Sequence, residues 1–325
     1  MPYRLKLDEP LAHAVRRIGM EQLEASETKL SAGDVPAVAV HDVRKALKRV
    51  RALLRLVRPA LGNRVFEQEN TRLRDIGRLL SGTRDQHVLE QTLAAIESRF
   101  ALGQSGITQG ARLALAEAGP GGGTRLAPDS SAARTVRQRL RKAATAFADL
   151  PVRGSGFEPI AEGLETAYRR ARKALTAAEA DGSDETVHEW RKQVQHHWRH
   201  MLLLTRVWPE VLQARAHEAK ALSQILGEDH DLAMLARFLH SDAAASVPRD
   251  QRAALDALCR ARQGELRRAA APRAHRLFAE PPRALRKRLT AYWHAARHIP
   301  VTRGGRQRDG ESETAPQAEV VHLKT

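Results

Sequence analysis

The residues best suited to chemistry are basic side chains that recur at helical spacing in segment 41–59. At about 100° per residue, one half of this helix would carry His41, Arg44, Lys45, Lys48, Arg49, Arg51 and Arg55. The other half is apolar, and Asp42 is the only acid of the segment. Surface helices usually mix both charge signs on the wet face. The single-sign face therefore predicts an anionic partner.

A second helix repeats this pattern 147 residues later. The spacing of His41, Arg44 and Lys45 returns in His188, Arg191 and Lys192, and the same face continues through His196 and Arg199. Farther along each copy, Lys220 corresponds to Arg74, and Asp231 in "ILGEDHDLAML" corresponds to Asp85 in "LLSGTRDQHVL". Two correlated matches at nearly one offset indicate a duplicated unit of about 145 residues.

Composition narrows the class of partner. The 325 residues include 54 Lys and Arg against 38 Asp and Glu, a formal charge of +16. Such an excess favours a nucleic acid, a phosphate polymer or an anionic membrane surface. Cys259 is the single cysteine, which excludes an internal disulfide and fits a reducing compartment. Without an apolar signal core or a run of about eighteen apolar residues, we expect a soluble cytoplasmic protein that does not enter a membrane.

Apolar periodicity predicts helix after helix, and the alternating runs that a sheet requires are missing. The predicted segments are Leu11–Leu30, His41–Pro59, Val65–Leu80, Arg84–Leu102, Ser131–Ala148, Ile160–Ala180, Thr186–Val207, Glu210–Leu226, His230–Leu239, Arg249–Ala270 and Pro282–Arg297. The fold class is therefore all-α. We expect two similar antiparallel helical bundles, 5–150 and 157–298, and a disordered tail at 300–325. The first half would contain a Gly/Pro-rich linker at 103–130 with a short helix from Ala111 to Ala118.

Taken together, these motifs resemble the CHAD family, the conserved histidine α-helical domain. The resemblance covers about residues 5–297 and rests on "HDVRKALKRVR", "HEWRK", "GLETAYRRARKAL", "LGEDHDLAML" and "RLFAEPPRALRKRLTAYW". It implies paired helical bundles with approximate twofold symmetry. It also implies non-enzymatic binding of inorganic polyphosphate in a basic channel or groove between the halves, and association with polyphosphate granules.

A binder of a linear polyanion needs many donors in a row, with Arg as a bidentate fork and Lys as a compact cation. The leading candidates are His41, Arg44, Lys45, Lys48, Arg49, His188, Arg191, Lys192 and Arg199. Neighbouring helices add Arg16, Arg17, Arg74, Arg78, Tyr168, Arg169, Arg172 and Lys220. His196 and its neighbours stand where the family usually carries Lys or Arg. This departure predicts that the second half binds phosphate less strongly at neutral pH, and that His196 regains its charge beside a polyanion.

Each candidate also has a structural alternative. Arg74 and Arg78 could form salt bridges to Asp75, and Tyr168 could be a core residue. His41 and His188 could simply hold the two halves together through hydrogen bonds. Asp85 and Asp231, which follow predicted helix breaks, suit helix capping better than catalysis.

Other functions have weaker sequence support. No HExxH or GxxxxGK[ST] pattern occurs, so we expect no metal site, no cofactor and no catalysis. Nucleic-acid binding is the main rival, but aromatic residues make up only 4% of the chain, which leaves few platforms for base stacking. Nonspecific nucleic-acid binding at low salt still follows from the charge. Docking of an acidic or phosphorylated protein is a second rival, and the sequence does not indicate an oligomeric state.

Overall fold

The two basic segments become neighbouring helices of one helical assembly. A computed structural model describes residues 3–31, 37–80, 85–103, 106–118 and 131–299. Their α-helices are α1 Leu11–Ser31, α2 Ala37–Leu56, α3 Arg58–Leu61, α4 Asn63–Leu79, α5 Asp85–Arg99, α6 Gln109–Glu117, α7 Ser131–Ala148, α8 Glu158–Asp181, α9 Asp184–Leu203, α10 Pro209–Leu239, α11 Arg249–Leu277 and α12 Pro282–His298. Two 3₁₀ turns, Thr205–Val207 and Asp242–Ala244, flank α10. The described residues contain no strand, which confirms the all-α prediction.

Local signals set several helix ends. α8 ends at Gly182, whose left-handed conformation (φ 65°) suits a residue without a Cβ. Ser183 then caps α9, because its side-chain oxygen accepts a hydrogen bond from the Thr186 backbone N–H. The negative charges of Asp184 and Glu185 in the first turn interact favourably with the positive end of the α9 dipole. The α8–α9 hairpin is therefore encoded locally.

The predicted break between Leu226 and His230 is wrong, because α10 runs unbroken through this segment. Asp231 accordingly lies inside a helix and does not follow a break. α10 packs along both α9 and α11. Tertiary packing on two sides outweighs the cost of about 1 kcal/mol for one internal glycine, Gly227.

One large hydrophobic core joins the two predicted halves. Leu53 of α2, Leu164 of α8 and Val194 of α9 are all fully buried in it. A second core forms where α5 and α6 of the first half pack against α10 and α11 of the second, with Cys259 inside. The domain boundaries and the approximate twofold symmetry stay predictions.

The short helix predicted within the linker is present as α6, whereas 119–130 lie outside the described residues, as do 32–36, 81–84 and the tail at 300–325. Within the described residues, no helix is both long enough and apolar enough to cross a bilayer.

Candidate anion-binding site

The basic face of α2 lies along α4, and two hydrogen bonds set the register of these antiparallel helices. Nη1 of Arg44 donates to the backbone carbonyl of Leu80 over 2.7 Å. About two helical turns later, Nε of Arg51 donates to Oδ1 of Asn70 over 2.9 Å. The contacts follow directly from the helical spacing of the arginines on α2 and the run of α4 in the opposite direction.

Four arginines gather where α2 meets α4, and we call Arg51, Arg55, Arg74 and Arg78 the arginine cluster. The pKa of Arg51 is lowered to about 10, first by burial and then by the charges of the other three arginines. Arg74 and Arg78 share Asp75, at 3.3 and 3.5 Å. The salt-bridge alternative is thus realised for both residues, but one carboxylate faces two guanidinium groups. The cluster keeps a net positive charge.

The other basic candidates of α2 lie between its first turns and its middle. Lys48 is exposed, and the remaining ones, His41, Lys45 and Arg49, are partly exposed. Arg49 is held by Tyr3, whose hydroxyl donates to the Arg49 backbone carbonyl over 2.8 Å. The Arg49 guanidinium also lies 5.8 Å from the centre of the Tyr3 ring. The segment before α1 thereby packs on α2.

α9 meets α2 through buried histidines, and this burial disfavours their charged form. A 3.0 Å hydrogen bond joins Nε2 of His200 to the backbone carbonyl of Ala52. The pKa of His200 is lowered to about 4, mainly by burial and also by Arg55 and Arg199. Burial and Arg55 likewise hold the pKa of His196 well below its ordinary value. Nδ1 of each histidine is buried and has no hydrogen-bond partner within the described residues.

Arg199 is less accessible than its predicted role requires. The residue is 7% exposed, and its Nη1 donates to the backbone carbonyl of Gln195 over 2.8 Å. Its guanidinium lies 4.9 Å from the centre of the Trp198 ring. Arg199 contributes positive potential from within α9.

A second basic group lies at the start of α9. Nδ1 of His188 is 3.1 Å from Nδ1 of His230, and the rings stack with centres 4.4 Å apart. Burial lowers the pKa of both, that of His230 to about 4, and the charge of Arg191 adds to the effect. Lys192 forms an ion pair with Glu189. The 3.1 Å contact requires at least one neutral ring, because two protonated rings would present two donors to each other.

The first-half contact between Arg44 and Leu80 has a counterpart in the second half. Arg191 and Gly227 each lie 147 residues after these two positions, and a Cβ added to Gly227 would lie 3.8 Å from Nη2 of Arg191. Lys220 is partly exposed two turns before Gly227 on α10. The duplicated motif thus places Arg44 at the end of α4 and Arg191 at the corresponding position of α10.

Other candidates from α1 and α8 bond to the protein itself. Nε and Nη2 of Arg16 donate to the Leu150 backbone carbonyl over 3.1 and 3.0 Å. Arg17 pairs with Glu9 at 2.7 Å. Arg172 donates over 3.2 Å to a backbone carbonyl in the turn before α12. These arginines hold segments of the protein together. The partners given above do not belong to the arginine cluster.

Tyr168 lies in the core. Its side chain is fully buried, and its hydroxyl donates to the Leu277 backbone carbonyl over 3.0 Å. Its neighbour Arg169 is exposed and pairs with Glu165 at 2.5 Å. Tyr168 is therefore a core residue, as the structural alternative predicted.

Sequence reasoning missed a pocket at the end of α2. A cavity of about 410 Å³ is lined by Arg55, Arg58, Arg170, Gln193 and His196, among others. Arg55 lies on the predicted basic face and Arg170 lies within the "YRRARK" run, but neither is among the predicted ligands. Their proximity depends on how closely α8 approaches α2, which local spacing does not reveal.

The family model of the CHAD domain matches residues 17–240. This chain belongs to the CHAD family. CHAD domains are associated in general with polyphosphate-related proteins. The structure is similar to the crystal structure of the CHAD domain from the plant Ricinus communis, with 19% identity, 91% of this chain and 97% of that chain covered, and a TM-score of 0.49. No curated protein sequence matches this chain. Within the described residues, no three His, Cys, Asp or Glu side chains gather as a potential metal site.

Proposed function

We propose that this protein binds inorganic polyphosphate, without cleaving it, on the surface formed by α2, α4 and α9. The observation that carries the proposal is the arginine cluster. Burial and then the charges of its three arginine neighbours lower the pKa of Arg51, so the clustered positive charges repel one another. A bound polyanion would offset this repulsion. The repulsion between the arginines is unfavourable in the unbound protein, and binding of a polyanion would relieve it.

The arrangement favours a linear phosphate ligand. Arg44, Lys48, Arg51 and Arg55 follow one another at intervals of four, three and four residues, a row of about 16 Å along α2. Guanidinium groups match phosphate oxygens in bidentate geometry. A polymer with a charge on every unit can contact the whole row.

The rings near this row are poorly placed to stack on bases. Phe66 is only 1% exposed, and the guanidinium groups of Arg55 and Arg58 lie 5.7 and 4.5 Å from its centre. Tyr3 is 7% exposed and is engaged by Arg49. Single-stranded nucleic acid binding usually relies on exposed aromatic platforms. This difference supports polyphosphate over nucleic acid.

The second half would contribute through Arg191, Lys192 and His188. Acids beside the two basic groups already have cationic partners, Asp75 with Arg74 and Glu189 with Lys192. Because these acids are paired with cations, the arrangement supports binding of polyphosphate without cleavage. We also propose a cytoplasmic location at polyphosphate granules, which follows from the same ligand.

A competition assay tests the proposal. Labelled long-chain polyphosphate is displaced at about 150 mM salt by unlabelled polyphosphate, duplex DNA or heparin. We expect polyphosphate to compete far better than the other polyanions and to bind more tightly with chain length until the site is filled. Equal competition by all three would overturn the proposal in favour of a nonspecific basic surface. If the surface instead docks an acidic protein, polyphosphate affinity should not increase with chain length.

The matched variants are Arg74→Gln with Arg78→Gln, and Arg268→Gln with Arg297→Gln. Both pairs remove two charges, and the residues of the second pair are exposed on α11 and α12. We expect only the first pair to lose at least about tenfold in affinity. An equal loss in both pairs would show that net charge alone determines binding.

A further inference from the structure

The cavity at the end of α2 differs from the open basic row in its shape. Five helices contribute to its wall: α2 with Arg55, α3 with Arg58, α4 with Asn63, α8 with Glu162 and Arg170, and α9 with His196. Its volume of about 410 Å³ is in the range of small-molecule sites. The pocket is thus sized for a compact ligand, whereas the row on α2 suits an extended one.

The wall has the chemistry of an oxyanion site. Arg55 and Arg170 come from helices far apart in sequence, and the pKa of Arg55 is lowered by burial and then by Arg170. Arg58 is partly occupied, because its Nε donates to Asn63 Oδ1 over 3.0 Å. Glu162 is the one acid among the described residues of the wall, and Arg58 also pairs with Glu67 at 3.5 Å. Arg55 and Arg170 still outnumber Glu162. The remaining charge favours an anion.

Two buried polar atoms on these residues have no partner within the described part of the chain. They are Nε of Arg55 and Nδ1 of His196. A buried donor without an acceptor costs roughly 1–3 kcal/mol. An anion that enters the pocket could supply an acceptor for Arg55 Nε–H, after a small side-chain adjustment. Neutral His196 can supply a second donor in the tautomer that carries its proton on Nδ1.

We propose that this pocket binds a short phosphate anion, held chiefly by Arg55 and Arg170. The phosphates could be a free di- or triphosphate or the end of a polyphosphate chain. Only the second source rests on the proposed function. The shared chemistry is a multiply charged phosphoryl group that accepts hydrogen bonds from guanidinium groups.

Titration calorimetry with tripolyphosphate tests the site. We expect saturable binding at one site per chain and a loss of at least about tenfold in Arg170→Gln. Arg170 is exposed, so a folded variant is expected, and a thermal melt verifies it. The Arg74→Gln, Arg78→Gln pair should keep tripolyphosphate affinity while losing long-chain affinity. No saturable binding, or full affinity in Arg170→Gln, would overturn the proposal.

A gain of affinity provides a second test that misfolding cannot imitate. Glu162 is exposed at the pocket, and Glu162→Gln removes the acid that repels an anion. We expect tripolyphosphate to bind several-fold more tightly, and weaker or unchanged binding would contradict the assignment. Glu179→Gln, an exposed residue later on α8, is the matched control.

Polyphosphate with chemically blocked ends separates the two sources. If the pocket receives the end of the polymer, blocking should lower affinity about as much as Arg170→Gln does. If it receives a free short phosphate, tripolyphosphate should bind without displacing the blocked polymer. Failure of long-chain binding together with intact tripolyphosphate binding would remove the proposed function and leave the pocket assignment standing.

Discussion

Gly163 of α8 lies directly against the backbone carbonyl of Leu56 at the end of α2. A Cβ added to Gly163 would be 1.7 Å from the Leu56 oxygen, a distance that no side chain can occupy. The backbones of α8 and α2 therefore touch at this point. The same approach brings Arg170, two turns later on α8, to the pocket that Arg55 also lines.

Gly163→Ala should destabilise the protein, because the opposing atom belongs to the backbone and cannot rotate away. We expect a loss of at least roughly 1–3 kcal/mol in the free energy of unfolding, measured with urea. Gly77→Ala on α4 is the control, since its Cβ would meet only Leu47 Cδ1 at 3.9 Å. That change should be neutral or stabilising by about 0.5–1 kcal/mol. Equal stability of the two variants would contradict the backbone contact.

The matching positions of Arg44 and Arg191 predict a joint effect on polyphosphate affinity. Arg44→Ala with Arg191→Ala should weaken long-chain binding by more than either change alone, because each half loses a cation. We expect about tenfold per arginine, a less steep dependence on salt and an unchanged helical circular dichroism signal. Arg268→Ala with Arg297→Ala controls for net charge. A double variant that binds as tightly as the native chain would exclude a site shared by the halves.

The helical fold and the internal repeat of basic residues could be predicted because helical periodicity and a fixed offset are local features of the sequence. Other features depended on packing. The sequence predicts a break between Leu226 and His230, yet α10 is continuous because α9 and α11 pack along it. The pocket joins Arg55 and Arg170 across 115 residues through the contact at Gly163, which no single-sequence pattern reveals. Tyr168 and Arg199 carry donors of the right type but are buried by tertiary packing.

Tyr168→Phe separates the ligand and core roles of this residue. The change removes the hydrogen bond to the Leu277 carbonyl, but that oxygen still accepts from Arg215 Nη2 at 2.6 Å. No buried acceptor is left unpaired, so we expect a loss of about 0.5–1.5 kcal/mol in stability. Polyphosphate affinity should not change in the competition assay. A large loss of affinity with unchanged stability would assign the hydroxyl to the ligand.

His200 should make stability depend on pH. Burial lowers its pKa in the folded chain to about 4, against an ordinary value of 6.5. Between these values the unfolded chain binds a proton that the folded chain does not, so stability is fully present above pH 6.5 and falls as the pH drops toward 4. The difference corresponds to roughly 3 kcal/mol for this residue.

Urea unfolding at a series of pH values between about 7.5 and 4.5 measures this effect. His200→Asn cannot titrate, so its stability should fall less steeply with decreasing pH, even though it starts lower because the bond to Ala52 is altered. His217→Asn on α10 is the control, since it makes the same chemical change at an exposed position. Parallel curves for all three proteins would show that the native state does not keep His200 neutral. A shallower slope in His200→Asn alone would place a neutral histidine where α9 crosses α2.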